Sequence, residues 1–98
     1  MDDSSRLLPH EPAMVAHRLK ALREALGLNK ADFADAIGLD RSSYTKVENG
    51  AKPLLPHIAY RIWQLYSVDM NYIYLGQVGG VPSNLSNKLM PALTAAQA

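Results

Sequence analysis

The sequence contains no cysteine, and this absence excludes several classes of protein. Without cysteine there is no disulfide framework, no thiolate metal site and no nucleophilic thiol, so a reducing, cytoplasmic location is expected rather than secretion. No apolar run approaches the roughly 18 residues that a membrane span needs. The chain opens on the acidic stretch Met1-Asp2-Asp3, whereas a signal peptide opens on a basic one. We therefore expect a cytoplasmic protein without a membrane partner.

A strong excess of charge of one sign is also missing. Lys and Arg number 10 against 9 Asp and Glu, a net charge of +1, which excludes a polybasic nucleic-acid-binding arm. The charge is unevenly distributed, however, because residues 1–15 carry a net −2 and residues 16–52 a net +2. With 98 residues, of which 48% are hydrophobic and 19% charged, the composition predicts one globular domain with a packed core.

Catalytic and metal-binding patterns are not found in the sequence. The three histidines, His10, His17 and His57, lack metal-ligand spacing, and no cysteine could complete a zinc site. Serines, histidines and aspartates occur, but not as a nucleophile elbow, a phosphate loop or a carboxylate pair. The sequence therefore predicts a protein that is not an enzyme and that has no metal and no cofactor.

Residue spacing predicts a helical chain after a mobile arm at residues 1–12, which is polar and has no periodicity. A first helix begins at Pro12 and ends before Gly27, since its apolar residues recur at spacings of four, three and four. These residues are Val15, Leu19, Leu22 and Leu26.

Two short helices are predicted next. Asn29 is suited to cap the second helix, which ends at Gly38, and Asp40 is suited to cap the third, which ends at Gly50. Short helices joined by a three- or four-residue turn that contains glycine are typical of a helix-turn-helix unit.

The remaining residues predict two more helices and a tail. A fourth, largely apolar helix spans residues 56–66, and a fifth is capped by Asp69 and ends at Gly76. In the tail, residues 77–98, three leucines at steps of four allow a short amphipathic helix, which Pro91 would interrupt. These leucines are Leu85, Leu89 and Leu93.

The stretch from Arg18 to Gly76 resembles the Cro and phage-repressor type of helix-turn-helix domain. The similar segments are Arg18-Leu19-Lys20-Ala21-Leu22-Arg23, Leu28-Asn29-Lys30-Ala31-Asp32-Phe33-Ala34, Arg41-Ser42-Ser43-Tyr44-Thr45-Lys46-Val47-Glu48-Asn49-Gly50 and Asn71-Tyr72-Ile73-Tyr74-Leu75-Gly76. The resemblance implies an all-α, five-helix domain over residues 13–76 that binds double-stranded DNA. It also implies that Arg23 and Glu48 pair as a partly buried salt bridge.

The third helix is the candidate for reading DNA. A period of about 3.6 residues turns Tyr44 and Val47 inward and leaves a polar, partly basic face outward. We predict base contacts from the residues of that face: Arg41, Ser42, Thr45 and Lys46. We predict phosphate contacts from residues at the start of helix two and after helix three: Asn29, Lys30, Asn49 and Lys52. The plainer interpretation is a solvated helix face, and the helix-turn-helix context favours DNA.

These observations predict a sequence-specific transcriptional regulator, a repressor that occupies an operator. Two alternatives share the fold: an antitoxin-like regulator that binds a protein partner, and a scaffold that no longer binds DNA. Helix four is apolar almost all round, so we expect its surplus surface to be covered, either by the tail or by a second copy, which is favoured. The candidates for that homodimer interface are Tyr60, Trp63, Leu85 and Leu89.

Overall fold

The computed structural model describes residues 8–97, with side chains up to residue 94, and residues 1–7 of the predicted arm lie outside it. Within this range there are six α-helices and no strand: α1 (Pro12–Ala25), α2 (Lys30–Ile37), α3 (Arg41–Glu48), α4 (Pro56–Tyr66), α5 (Met70–Leu75) and α6 (Ser83–Gln97). The predicted all-α class is confirmed: α1 to α5 are the five helices expected, and α6 lies in the tail, where the sequence allowed a short helix.

Three helices begin at side-chain caps that the sequence predicted. The side chains of Asn29, Asp40 and Asp69 each accept the backbone N–H of the residue three positions later, at 2.8, 2.7 and 3.1 Å. Each such bond satisfies an N–H group that has no partner inside its helix, and a cap of this kind typically stabilises a helix by about 1 kcal/mol. The starts of α2, α3 and α5 are therefore fixed by local sequence.

A single hydrophobic core receives side chains from all six helices. Its largest fully buried members are Tyr44, Tyr72, Phe33, Leu19, Leu22, Ile37, Ile62, Ile73 and Leu89. The rings of Phe33 and Tyr44 meet edge to face, with centroids 5.5 Å apart and an interplanar angle of 87°. This aromatic contact packs α2 against α3 and so stabilises the helix-turn-helix unit.

The tail forms α6, which packs along α1. Leu85 and Leu89 are buried in the core of their own chain, so they are not available to a second copy, and their assignment to a dimer interface is corrected. The helix also runs through Pro91, where the sequence predicted an interruption. Pro91 and Asn87, whose carbonyl loses its intrahelical donor, are both exposed, so water can replace the missing N–H.

Arg18 ties the start of the described chain to α5. Its Nη1 donates to the carbonyl of Pro9 at 2.6 Å and to the carbonyl of Ile73, near the end of α5, at 3.0 Å. Its own carbonyl accepts the hydroxyl of Tyr72 at 2.7 Å. Burial lowers the pKa of Arg18. Residues 8–11 of the predicted arm are thus held against α1, and α5 gains a cation near its negative end.

Candidate nucleic-acid interface

The turn between α2 and α3 sets the angle of the helix-turn-helix unit. Gly38 ends α2 in the left-handed conformation, at φ 80°, which costs a glycine little. A Cβ atom at this position would also meet the guanidinium of Arg61 on α4, which is the exposed end of a flexible side chain and can move aside. A larger residue at Gly38 would therefore be disfavoured mainly by the left-handed backbone of the turn.

The outer face of α3 consists of Arg41, Ser42, Thr45 and Lys46, and all four side chains are exposed. Tyr44 and Val47, on the same helix, are buried. This is the division of inward and outward positions that the helical period predicted. The prediction that the outer face contacts bases remains a prediction, but its side chains are free of the core.

Local hydrogen bonds limit what two residues of α3 offer outward. The hydroxyl of Thr45 donates to the carbonyl of Arg41 at 3.0 Å, and the hydroxyl of Ser43 donates to the carboxylate of Asp40 at 2.9 Å. Thr45 therefore presents oxygen lone pairs and a methyl group to a ligand rather than a hydroxyl donor. The donors of the outer face then come chiefly from Arg41 and Lys46.

Arg41 forms an ion pair that the sequence analysis missed. Its Nη2 lies 2.9 Å and its Nε 3.4 Å from the two carboxylate oxygens of Asp35 on α2. Arg41 lowers the pKa of Asp35, while Asp35 raises the pKa of Arg41, so both groups stay charged near neutral pH. The two residues lie six apart across a turn, a spacing that follows no helix or strand rule. No local signal could therefore have identified Asp35.

Lys52, in the loop after α3, lies close to the backbone of Lys46. After α3 the chain folds back, and the N–H of Lys52 donates to the carbonyl of Lys46 at 3.3 Å. The following residues are held in place because Leu54 is buried and its carbonyl accepts the hydroxyl of Tyr74 at 2.7 Å. Lys52 is exposed in this anchored loop, beside Ser43 and Val47 of α3.

The other residues predicted to contact phosphate lie at helix ends. Asn29 and Lys30 are exposed at the N-terminus of α2, where the positive end of the helix dipole favours an anion. The Oδ1 of Asn29 is occupied by its capping bond, which leaves its amide N–H₂ facing solvent. Asn49 is exposed at the C-cap of α3. These three residues are therefore accessible from solvent, as a contact to phosphate requires.

Arg23 and Glu48 join the end of α1 to the end of α3. The Nη2 and Nε of Arg23 donate to the two carboxylate oxygens of Glu48 at 2.9 and 3.1 Å, and its Nη1 donates to the carbonyl of Leu28 at 2.9 Å. The side chains are only 11% and 3% exposed. The bond to Glu48 raises the pKa of Arg23. The pair fixes α3 against the core from its C-terminal end, while the Asp40 cap fixes its start.

The hydroxyl of Tyr44 is buried near this ion pair but has no hydrogen bond of standard geometry to the described residues. Burial raises the pKa of its phenol far above the usual value, so it remains neutral. The hydroxyl still lies close enough to Glu48 and Arg23 for both to affect its pKa. The ring of Tyr44 packs on Phe33, and this contact stabilises the fold.

The surplus apolar surface of α4 lies on the outside of the molecule. Tyr60 is 51% and Trp63 48% exposed, and their rings stack with centroids 5.7 Å apart. Leu65 is half-exposed as well, whereas Ile58 and Ile62 are buried. Because α6 packs on α1, the tail does not cover this surface. Tyr60 and Trp63 thus remain candidates for an interface, unlike Leu85 and Leu89.

The described part of the chain contains no group of three or more histidines and carboxylates that could hold a metal ion. None of its helices is both long and apolar enough to pass through a bilayer.

Comparison with known families agrees with this arrangement. The family model described as helix-turn-helix matches residues 19–73, more than half of the chain, and this segment includes all of α2, α3 and α4. No curated protein and no solved structure gives a significant match. The matched family consists of regulators that bind double-stranded DNA, and its match confirms the resemblance seen in the sequence. The chain therefore belongs to the Cro and phage-repressor type of DNA-binding helix-turn-helix regulators.

Proposed function

We propose that this protein is a sequence-specific repressor that places α3 in the major groove of an operator. The observation that carries the proposal is the outer face of α3, where Arg41, Ser42, Thr45 and Lys46 are all exposed on a helix that is fixed at both ends. A major groove admits a helix of this size, and arginine or lysine donates to guanine O6 and N7 there. Such a protein acts by binding and not by catalysis.

Affinity is expected to come mainly from phosphate contacts around α3. Lys30 at the start of α2 and Lys52 after α3 are both exposed, and lysine neutralises phosphate without reading sequence. The binding constant should therefore fall steeply as the salt concentration rises.

Selection of bound sites from random duplex DNA, followed by titration of the selected site, tests the proposal. Lys46→Ala should weaken binding to that site by roughly 5- to 150-fold and relax base preference at one position. Lys30→Ala and Lys52→Ala should weaken binding to all sequences alike and each reduce the salt slope by about one. Lys88→Ala is the matched control, since it removes the same charge from an exposed position on α6.

The outcomes separate the proposal from its alternatives. If wild-type protein selects no site and its affinity for DNA does not change with salt, DNA binding is refuted and a protein-association role is favoured. If a site is selected, transcription from a promoter that contains it decides the direction of regulation. Reduced transcript supports a repressor, and increased transcript identifies an activator.

We further propose that the regulator is a homodimer through α4. The exposed Tyr60 and Trp63 form a stacked aromatic pair, a surface that a second copy could bury. Two recognition helices about 34 Å apart would read successive turns of the major groove and increase specificity.

Sedimentation over a range of concentrations tests this assembly, with and without the selected DNA. Trp63→Ser should shift the protein to monomer, whereas Met90→Ser, at a similarly exposed apolar position on α6, should not. A wild-type protein that stays monomeric throughout and binds a non-palindromic half-site would refute the homodimer. That result would leave the α4 surface to a different protein partner.

A further inference from the structure

The ion pair between Asp35 and Arg41 lies at the start of the outer face of α3, and its geometry is specific. Asp35 accepts from the Nε and Nη2 of Arg41, which is the side edge of the guanidinium. Both side chains are largely exposed, Arg41 by 66% and Asp35 by 57%. The pair therefore lies on the surface of the helix-turn-helix unit rather than in its core.

A side-on pair leaves the other edge of the guanidinium unoccupied by Asp35. Guanidinium carries five N–H groups in one plane, and Asp35 accepts from two of them. The N–H groups at the Nη1 and Nη2 end can still form two parallel hydrogen bonds. Guanine offers matching acceptors, O6 and N7, in the major groove. Asp35 thus engages Arg41 without using the edge that recognises guanine.

We propose that Asp35 is a positioning residue that aims Arg41 at a guanine; this inference rests on the proposed function. Held by a carboxylate, the arginine loses less conformational freedom when it binds a base than an unrestrained side chain would. The negative charge of Asp35 also repels phosphate oxygens, so Arg41 is kept from turning toward the DNA backbone. The base at that position should therefore be guanine.

Asp35→Asn removes the carboxylate charge and tests this role, with Asp32→Asn as its matched control. Asp32 is an exposed carboxylate on the same helix that acts on Arg41 through its charge, without a hydrogen bond to it. Both variants remove one negative charge near the proposed interface, so both should bind non-specific DNA at least as tightly as wild type. They differ in whether the two-point, charged contact with Arg41 is lost, because the asparagine at position 35 keeps only one acceptor oxygen.

The measurement is competition binding between the selected site and its single-base variants. Asp35→Asn should lower the preference for guanine at one position by about two- to five-fold, within the range that one exposed ion pair contributes. Asp32→Asn should leave that preference unchanged. Arg41→Ala should abolish it at the same position, and adding Asp35→Asn to Arg41→Ala should cause no further loss.

Three results would overturn the inference. If Asp35→Asn retains or sharpens the guanine preference, Asp35 masks Arg41 instead of positioning it. If its effect falls at a base position that Arg41→Ala leaves unchanged, the two residues do not act together. If wild-type protein binds no DNA at all, the proposed function fails and this inference fails with it. The first two results overturn the positioning role alone.

Discussion

The substitution Leu89→Ala tests whether α6 is an integral part of the domain. This helix lies outside the residues that the family model matches. The side chain of Leu89 is 0% exposed. Leu89→Ala removes buried methyl groups and leaves a cavity, so the free energy of unfolding should fall by about 2–5 kcal/mol. A chain of this size has a total stability of only about 5–15 kcal/mol. The melting temperature should therefore drop by about 4–8 °C for each kcal/mol lost.

Met90→Ala is the control, because Met90 is the next residue of the same helix and is 50% exposed. It should change the free energy of unfolding by no more than about 0.5 kcal/mol. Urea denaturation followed by circular dichroism measures both variants under the same conditions. Equally small effects at the two positions would mean that α6 does not pack on α1 in solution, and the extended core described above would be wrong.

Two further pairs of variants test the buried polar groups. Tyr44→Phe should change the free energy of unfolding by less than about 1 kcal/mol, because the hydroxyl it removes lies near Glu48 without a hydrogen bond of standard geometry. Tyr72→Phe should lower it by about 1 kcal/mol, because that hydroxyl donates to the carbonyl of Arg18; equal losses in the two denaturation curves would contradict this difference. Arg23→Met should cost about 3–5 kcal/mol by leaving the Glu48 carboxylate buried without a partner, and adding Glu48→Met should recover much of that loss. If the double variant is no more stable than Arg23→Met, the cost comes from packing and not from the uncompensated charge.

Much of the fold could be predicted because the helix ends are locally encoded. Asn29, Asp40 and Asp69 cap their helices through bonds that span three residues, and such bonds depend little on tertiary structure. The inward positions of α3 follow from helical period in the same way. The local sequence therefore predicts which side chains of α3 lie on the candidate DNA-reading face.

The features that sequence reasoning missed all depend on contacts between elements. The partner of Leu85 and Leu89 could not be predicted, because leucines at steps of four fit α1 as well as a second copy. Pro91 was expected to interrupt the tail helix. The helix continues through it because α6 packs on α1 and because Pro91 is exposed to water. The bond between Asp35 and Arg41 exists only because the turn at Gly38 brings two helices together. In each case the missing information was three-dimensional.

The packing of α6 on α1 has a consequence for the order in which the protein acquires its structure during synthesis. The helix-turn-helix unit is synthesised early. The helix that packs along α1 is α6, which is synthesised only after α2, α3, α4 and α5. Part of the apolar stripe of α1 therefore stays exposed on the nascent chain. Contacts between segments so far apart in sequence slow folding, because a long loop must close first. A nascent chain halted before α6 should accordingly be more sensitive to protease than the released protein, although its DNA-reading helix is already complete.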